Sequence, residues 1–137
     1  MSQTPEEVSA LFTSVPIRER LEILLEFSDS LPELPPRYAD HPELLEKVEE
    51  CQSPVFLFVE VQEKVSLFIT APKEAPTTRG FAGILLEILD GRTAQEVLAV
   101  REDFISQLGL AEAVSPLRLR GMRAMLHRIQ RQVREKA

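Results

Sequence analysis

The feature that most constrains the fold is a segment, residues 55–70, in which apolar side chains alternate with the residues between them. The first run has Val55, Leu57, Val59 and Val61 on one side, and the second run has Val65, Leu67 and Ile69 on one side. A period of two residues predicts β-strands, and the short polar connection at residues 62–64 predicts an antiparallel hairpin. Because an isolated hairpin is marginal in water, helices are expected to cover at least one of its faces.

Helical patterns precede the hairpin. Thr4, Pro5 and Glu7 have the spacing of a capping box, which predicts a helix that runs to about Thr13. Between residues 17 and 31 leucines and isoleucines recur at helical spacing with charged residues between them, and this pattern predicts an amphipathic helix.

A proline-containing segment, LPELPPRYADHPE, separates these helices from the hairpin. Each proline removes an amide donor and disfavours helix at the residue before it. The segment is therefore expected to be a long ordered loop, with one helical turn at residues 43–48.

The C-terminal half is predicted to be helical. Thr77 or Thr78 is expected to cap a helix that ends at Asp90 and Gly91. The apolar inner face of this helix consists of Phe81, Ile84, Leu85 and Ile88.

Three further patterns complete the helical half. Thr93 and Glu96 form a second capping box, the segment DFISQLG predicts a short helix closed by Gly109, and residues 115–137 predict a long final helix. The chain as a whole predicts one α+β domain spanning residues 1–137. In this domain a small antiparallel sheet packs against several helices. The sheet consists of the hairpin and could include a third strand.

Charge is distributed unevenly along a chain whose net charge is −6. Residues 1–50 carry −8, residues 51–115 carry −4 and residues 116–137 carry +6. The acidic remainder would repel phosphates, and the last helix has no interleaved aromatic side chains, so a nucleic-acid partner is not expected. We expect a solvated basic face that lies beside acidic neighbours.

Length and cysteine content bound the location and the cofactors. No segment approaches the roughly 18 apolar residues of a membrane span, and MSQTPEEVSALF lacks the pattern of a signal peptide, so a cytoplasmic protein without a membrane partner is expected. One cysteine cannot form an internal disulfide, which agrees with a reducing compartment. With only two distant histidines, His41 and His127, the chain alone has no ligand set for a structural zinc or an iron-sulfur cluster.

Cys51 is the only cysteine, and it has two interpretations. Free cysteine is often a small buried apolar filler. Here, however, it ends an acidic loop and lies outside the alternating run, and such loop positions are where function concentrates. Glu46, Glu49 and Glu50 would oppose formation of a thiolate, so the thiol is expected to react only where a partner provides a base or a cation.

Two arginines stand out as candidates near this cysteine. On a helical projection of the last helix, Arg118 falls with the apolar residues, so it is expected to point inward and to need an anionic partner or several carbonyl acceptors. It either forms a structural ion pair or faces the Cys51 region. Arg79, in TTRGFAG, is a similar but weaker candidate, and Gly80 and Gly83 beside it would allow close backbone approach.

The segment CQSPVF, residues 51–56, resembles the Cys-Gln-Ser-x-Val-Trp motif of the SufE family. The resemblance extends to LPELPPRYADHPELLEKVEEC, to RGFAGILLEILDGRTAQEVL and to LGLAEAVSPLRLRGMRAMLHRI, and so covers nearly the whole chain. Three positions differ, because the family usually has Asn, Gly and Trp where this chain has Glu46, Glu50 and Phe56. Replacing the glycine restricts the backbone and adds a charge beside the thiol.

The resemblance implies a SufE-type fold, related to that of IscU, and a sulfur carrier rather than an enzyme. It implies that Cys51 accepts sulfur as a persulfide from a cysteine desulfurase of the SufS or CsdA type, activates that enzyme, and relays the sulfur to a Suf-type iron-sulfur scaffold. Pyridoxal phosphate would belong to the desulfurase, and this chain, a monomer or weak homodimer, would hold no cofactor. Gln52, Ser53, Arg79 and Arg118 are the candidate supporting or partner-contact residues.

The alternatives differ in what they require of the thiol. A cluster scaffold needs several ligands, and a thiol redox enzyme needs a second cysteine or a lowered pKa. Neither requirement is visible in the sequence. An adaptor that regulates a desulfurase without carrying sulfur would keep its function after Cys51→Ala, and it is the remaining alternative.

Overall fold

The computed structural model describes residues 3–137 as helices packed around a three-stranded antiparallel sheet. The α-helices are α1 (Pro5–Thr13), α2 (Ile17–Ser30), α3 (Pro36–Ala39), α4 (Pro76–Leu89), α5 (Ala94–Ala99), α6 (Asp103–Gln107) and α7 (Pro116–Lys136). A 3-10 turn covers Pro42–Leu44, and the strands are β1 (Glu46–Lys47), β2 (Phe56–Val61) and β3 (Val65–Thr70). The α+β prediction is confirmed.

The sheet has the order β1-β2-β3. The predicted hairpin is confirmed, with Val61 opposite Val65, and the third strand is the two-residue β1, in which Glu46 lies opposite Leu57. The helical turn expected at residues 43–48 is confirmed only at its start, in the 3-10 turn Pro42–Leu44, and is wrong at residues 46–47, which form β1. The edge of β2 offers backbone partners there, and the helical turns form earlier, where Pro36 and Pro42 start them.

The alternation of β2 and β3 separates two faces, as predicted. The inner face, which is buried against α4 and α7, consists of Val55, Leu57, Val59, Val65, Leu67 and Ile69. On the outer face the ring of Tyr38 packs on Phe58 and Phe68, with ring centroids 4.8 and 4.9 Å apart. The proline-containing segment therefore covers the face that the long helices leave uncovered.

Helices α2 and α4 pack closely because α4 carries two glycines on the contact face. A Cβ built on Gly80 would lie 2.6 Å from the Leu24 carbonyl oxygen, and one on Gly83 would collide with the Phe27 carbonyl. The close backbone approach predicted for these glycines is confirmed. The predicted threonine cap is wrong, because Ala75 occupies the N-cap position without a side-chain hydrogen bond and Pro76 begins the helix.

The other helix ends follow the sequence signals. Both capping boxes form, at Thr4 and at Thr93. Gly91 and Gly109 adopt positive φ angles of 80° and 67°, as residues that close helices often do. Within residues 3–137 no helix combines the length and the apolar character that crossing a membrane requires.

Candidate functional site

Cys51 lies in the turn that connects β1 to β2. The Val48 amide donates to the Val55 carbonyl (2.9 Å) and joins the two ends of the turn. The Cys51 amide donates to the Val48 carbonyl (3.1 Å) within the turn. The prediction that the cysteine belongs to a turn rather than to a strand interior is confirmed. Its side chain is half-buried and packs at the margin of the main core.

The thiol opens into a cavity of about 230 Å³ where three separate segments meet. The cysteine turn contributes residues 50–53, the approach to α4 contributes residues 74–78, and the first turns of α7 contribute Leu117, Arg118 and Gly121. Charged and polar side chains form much of its wall. The tertiary structure thus brings together residues about 25 and about 70 positions apart in the chain.

Gly121 is the part of α7 that lies against the thiol. A Cβ built on this glycine would lie 3.0 Å from the Cys51 Sγ and 3.9 Å from its Cα. Sulfur and carbon pack comfortably only at larger separations, so any side chain here would push against the thiol. Gly121 is not among the residues predicted for the site, although the RLRGMRA stretch around it places a glycine inside a helical pattern, which is a signal of close packing.

Burial raises the pKa of the Cys51 thiol to about 11, and the neighbouring Glu50 carboxylate contributes in the same direction. The Arg128 guanidinium opposes both effects without reversing them. At neutral pH the thiol is therefore protonated and a weak nucleophile. The expectation that the local acids would oppose a thiolate is confirmed for Glu50, whereas burial, the larger cause, could not be read from the sequence.

The acids around the cysteine turn are bound by arginines of α7. Arg128 pairs with Glu46 (2.7 Å) and with Glu50 (2.8 Å), and Arg131 also pairs with Glu46. The Gln132 amide donates to Glu46 at 2.8 Å. Arg128 was missed because its position on the helical projection lies between the polar and apolar sides, and only the fold brings it to the cysteine turn.

The remaining basic residues of α7 mostly form the expected solvated face beside acids. Arg123 and His127 both lie 3.5 Å from Glu102. The predicted apolar side of the helix is buried throughout and consists of Leu119, Met122, Met125, Leu126, Ile129 and Val133.

The predicted inward orientation of Arg118 is wrong. Arg118 is exposed on the first turn of α7, whereas Leu119 beside it is buried. Its side chain lines the Cys51 cavity, and among residues 3–137 it forms no ion pair. Gln52 is exposed and Ser53 is half-buried, and both line the same cavity.

Arg79 lies elsewhere. Its guanidinium donates to the carbonyls of Ser28 (3.0 Å), Ala71 (2.6 Å) and Leu31 (3.1 Å). These bonds satisfy the end of α2 and the residue that follows β3. The expectation that an arginine here would need several carbonyl acceptors is confirmed, and the structure does not bring this residue to the cysteine cavity.

Within the described range no three histidine, cysteine, aspartate or glutamate side chains are arranged to hold a metal ion. The described site therefore offers one protonated thiol, a cavity beside it, and charged groups of both signs at the cavity rim.

Comparison with known proteins identifies the family. The family model SufE, described as an Fe-S metabolism associated domain, matches residues 6–133. An uncharacterised SufE-like protein of Mycobacterium tuberculosis is 52% identical over 131 residues, which cover 94% of this chain and 90% of that protein. The SufE-like protein 1 of Arabidopsis thaliana, chloroplastic/mitochondrial, is 30% identical over 127 residues, or 92% of this chain and 33% of the plant protein.

A solved structure has the same fold. The solution structure of a hypothetical protein from Thermus thermophilus superimposes with a TM-score of 0.86 at 40% sequence identity, covering 99% of this chain and 97% of that one. The resemblance inferred from CQSPVF and the flanking segments is confirmed.

Proposed function

Because this chain belongs to the SufE family of proteins associated with iron-sulfur metabolism, we propose that it accepts sulfur from a cysteine desulfurase and activates that enzyme. Cys51 is the receiving thiol. It carries the sulfur as a persulfide to a Suf-type cluster scaffold in the cytoplasm. The pyridoxal phosphate of the reaction belongs to the desulfurase, of the SufS or CsdA type, and this chain acts as a carrier without a cofactor of its own.

The observation that carries the proposal is the setting of the thiol. The one cysteine of the chain lies in a surface turn and opens into a cavity of about 230 Å³, several times the roughly 30 Å³ that a water molecule occupies in the liquid. The cavity that Cys51 lines is therefore large enough to hold one additional sulfur atom. Cys51 packs at the margin of the core and also lines this cavity, which a residue that served only as core filler would not need to do.

The protonation state suits a receiver. A thiol whose pKa is raised to about 11 is protonated at neutral pH, so the free protein is protected from stray electrophiles and oxidants. The same property means that Cys51 needs help to react. A base or a cation in the partner's active site would remove its proton, and rapid transfer would then require the complex.

The transfer is a thiol exchange, and its atoms balance. The Cys51 sulfur attacks the outer sulfur of the desulfurase persulfide and forms a new S–S bond, while the bond between the outer sulfur and the desulfurase cysteine breaks. The desulfurase thiolate is the leaving group and takes up the proton that Cys51 loses. One thiol and one persulfide enter, one persulfide and one thiol leave, and no external oxidant is needed.

Activation follows from the same step. A desulfurase that holds its own persulfide is blocked until the outer sulfur is removed, so an efficient acceptor frees the enzyme for the next turnover. Attack on the inner sulfur would instead give a mixed disulfide between the proteins. The partner must therefore present the outer sulfur to Cys51, which makes the docking geometry part of the function.

Arg118 is the residue of the rim best suited to docking. It is exposed, it lines the cavity, and within residues 3–137 no acid pairs with it, so an acidic group of the partner could bind it without displacing an internal bond. Gln52 and Ser53 offer polar groups on the same rim. Arg79 stabilises the fold through its three carbonyl acceptors and has no part in the proposal.

The test is intact-mass spectrometry of the protein after incubation with a cysteine desulfurase and L-cysteine, with Cys51→Ser as the matched variant. We expect a mass gain of one sulfur atom that a reductant removes and that the variant lacks. If the wild-type protein gains no sulfur while Cys51→Ser still stimulates the desulfurase, the protein is an adaptor that does not carry sulfur, and the proposal is wrong.

A further inference from the structure

The charges around the cysteine turn form a single connected network. Arg128 holds one carboxylate in β1, Glu46, and one in the turn itself, Glu50, directly before Cys51. Both are charge-assisted hydrogen bonds, and the Arg128 Nε and Nη2 atoms both donate to the same Glu50 oxygen, at 3.1 and 2.8 Å. One side chain of α7 thus fixes both ends of the five-residue segment that leads into the thiol.

Arg128 is the side chain that the two acids share, and Arg131 and Gln132 also bind Glu46. Burial opposes ionisation of Glu46, but hydrogen bonds from Gln132, Arg128 and Arg131 outweigh it and hold the pKa of the carboxyl below its usual range. For Glu50 burial is again outweighed, by the backbone and by Arg128, so its pKa is also lowered. Both carboxylates are therefore charged near neutral pH, and their mutual repulsion is offset by Arg128.

Glu46 and Glu50 place two carboxylates in the segment that leads into Cys51. Two acids this close together would be expected to loosen the turn and to repel a thiolate. Both instead pair with one arginine, whose side chain is only 25% exposed. Removing one partner of such a pair leaves the other charge partly buried without compensation, so loss of Arg128 should disturb the turn.

We infer that Arg128 is a positioning residue that latches the cysteine turn onto α7 and so keeps the Cys51 thiol in its half-buried, unreactive position. The latch consists of Arg128, Glu46 and Glu50. A partner carboxylate that binds Arg128 would free Glu50, the end of the segment next to Cys51, and expose the thiol. The inference concerns the free protein and rests on the proposed function only for this last consequence.

The latch predicts a result opposite to simple electrostatics. If Arg128 acted only as a cation near the thiol, its removal would raise the pKa of Cys51 further and slow alkylation. If Arg128 latches the turn, its removal exposes the thiol, lowers its pKa toward the ordinary value of about 8.5, and speeds alkylation. The other charged side chains that line the cavity, Glu74 and Arg118, are the same in both cases.

The experiment measures the rate at which iodoacetamide, a neutral reagent, alkylates Cys51 as a function of pH in the purified full-length protein. Arg128→Gln is compared with wild type and with Arg134→Gln, which removes an exposed arginine of the same helix that forms no ion pair within residues 3–137. Circular dichroism at each pH confirms that the fold is retained.

We expect Arg128→Gln to be alkylated at least roughly tenfold faster at pH 8, which is the rise in thiolate fraction that a fall of one unit in the thiol pKa produces. Arg134→Gln should match wild type. Arg128→Lys should lie between, because one ammonium group lacks the fork of the guanidinium and holds two carboxylates less well. A slower or unchanged rate in Arg128→Gln, or an equal rise in Arg134→Gln, would overturn the inference.

Salt provides a second measurement that needs no variant. Screening weakens partly exposed ion pairs, so the alkylation rate of the wild-type protein should rise several-fold between about 0.05 and about 1 M sodium chloride. A rate independent of salt in a folded protein contradicts the latch, even if Arg128→Gln does not fold. No desulfurase is present in either assay, so these outcomes are independent of whether Cys51 accepts sulfur.

Discussion

The Cys51 thiol lies directly against Gly121 of α7, in space that a side chain at position 121 would enter. A built Cβ at this glycine stands 3.0 Å from the Sγ. In an ordinary helix interior, replacing glycine by alanine adds about 0.5–1 kcal/mol of stability. Here the added methyl group meets the sulfur, and the two residues should be coupled.

The first prediction is a double-mutant cycle between these residues. Gly121→Ala should lower the free energy of unfolding in the wild-type background, by about 1–2 kcal/mol, because the methyl group overpacks the thiol. In a Cys51→Ala background the Sγ is absent, and Gly121→Ala should become neutral or stabilising. Urea unfolding of the four proteins measures the coupling; additive effects would show that the Sγ and the added methyl do not meet.

The second prediction concerns the pH dependence of the thiol. Because burial and Glu50 raise the pKa of Cys51 to about 11, alkylation of the native protein should keep accelerating well above pH 9. The urea-unfolded protein should show an ordinary midpoint of about 8.5. A native midpoint at or below the unfolded one would contradict the described setting of the thiol.

The same shift has a consequence for stability. A raised thiol pKa means that the folded state favours the protonated form, so this stabilisation is fully present below the unfolded pKa. It is lost as the pH rises from about 8.5 toward about 11. The free energy of unfolding of wild type should therefore fall more steeply over that range than that of Cys51→Ala.

The third prediction separates docking from folding at Arg118. This side chain is exposed and has no internal ion pair in residues 3–137, so Arg118→Ala should change the free energy of unfolding by no more than about 0.5 kcal/mol. Under the proposed function it should nevertheless raise the acceptor concentration needed for half-maximal desulfurase stimulation. The control is Arg101→Ala, because Arg101 is also exposed but does not line the cavity. Equal stimulation by both variants would remove Arg118 from the docking surface.

The fourth prediction places Arg79 in the fold. Arg79→Ala removes the three hydrogen bonds to the carbonyls of Ser28, Ala71 and Leu31, and should lower the free energy of unfolding by about 2–3 kcal/mol. Arg101→Ala, which removes an arginine side chain that is 82% exposed, should have little effect. A thermal melt of both variants measures the difference. If Arg79→Ala folds but no longer accepts sulfur, then Arg79 also has a role in function, and the purely structural role predicted here is wrong.

Local signals in the sequence were sufficient for most of the fold. The period-two run predicted the hairpin and its buried face, and the capping boxes at Thr4 and Thr93 marked two helix starts, because these features depend on residues a few positions apart. Two expectations failed, the second half of the helical turn at residues 43–48 and the threonine cap at Thr77. At the first an adjacent strand offered hydrogen bonds to the backbone, and at the second Pro76 was already suited to begin the helix.

The sequence by itself determined the family, the turn that carries the one cysteine and the acids beside it, since all of these lie in contiguous motifs. Only the tertiary structure decided what surrounds the thiol. Gly121 and Arg128 lie 70 and 77 positions beyond Cys51, and their distance from it depends on how α7 crosses the sheet. Burial is the main cause of the raised thiol pKa. It is likewise a property of the assembled fold, because the atoms that exclude water from the thiol come from segments far apart in the chain.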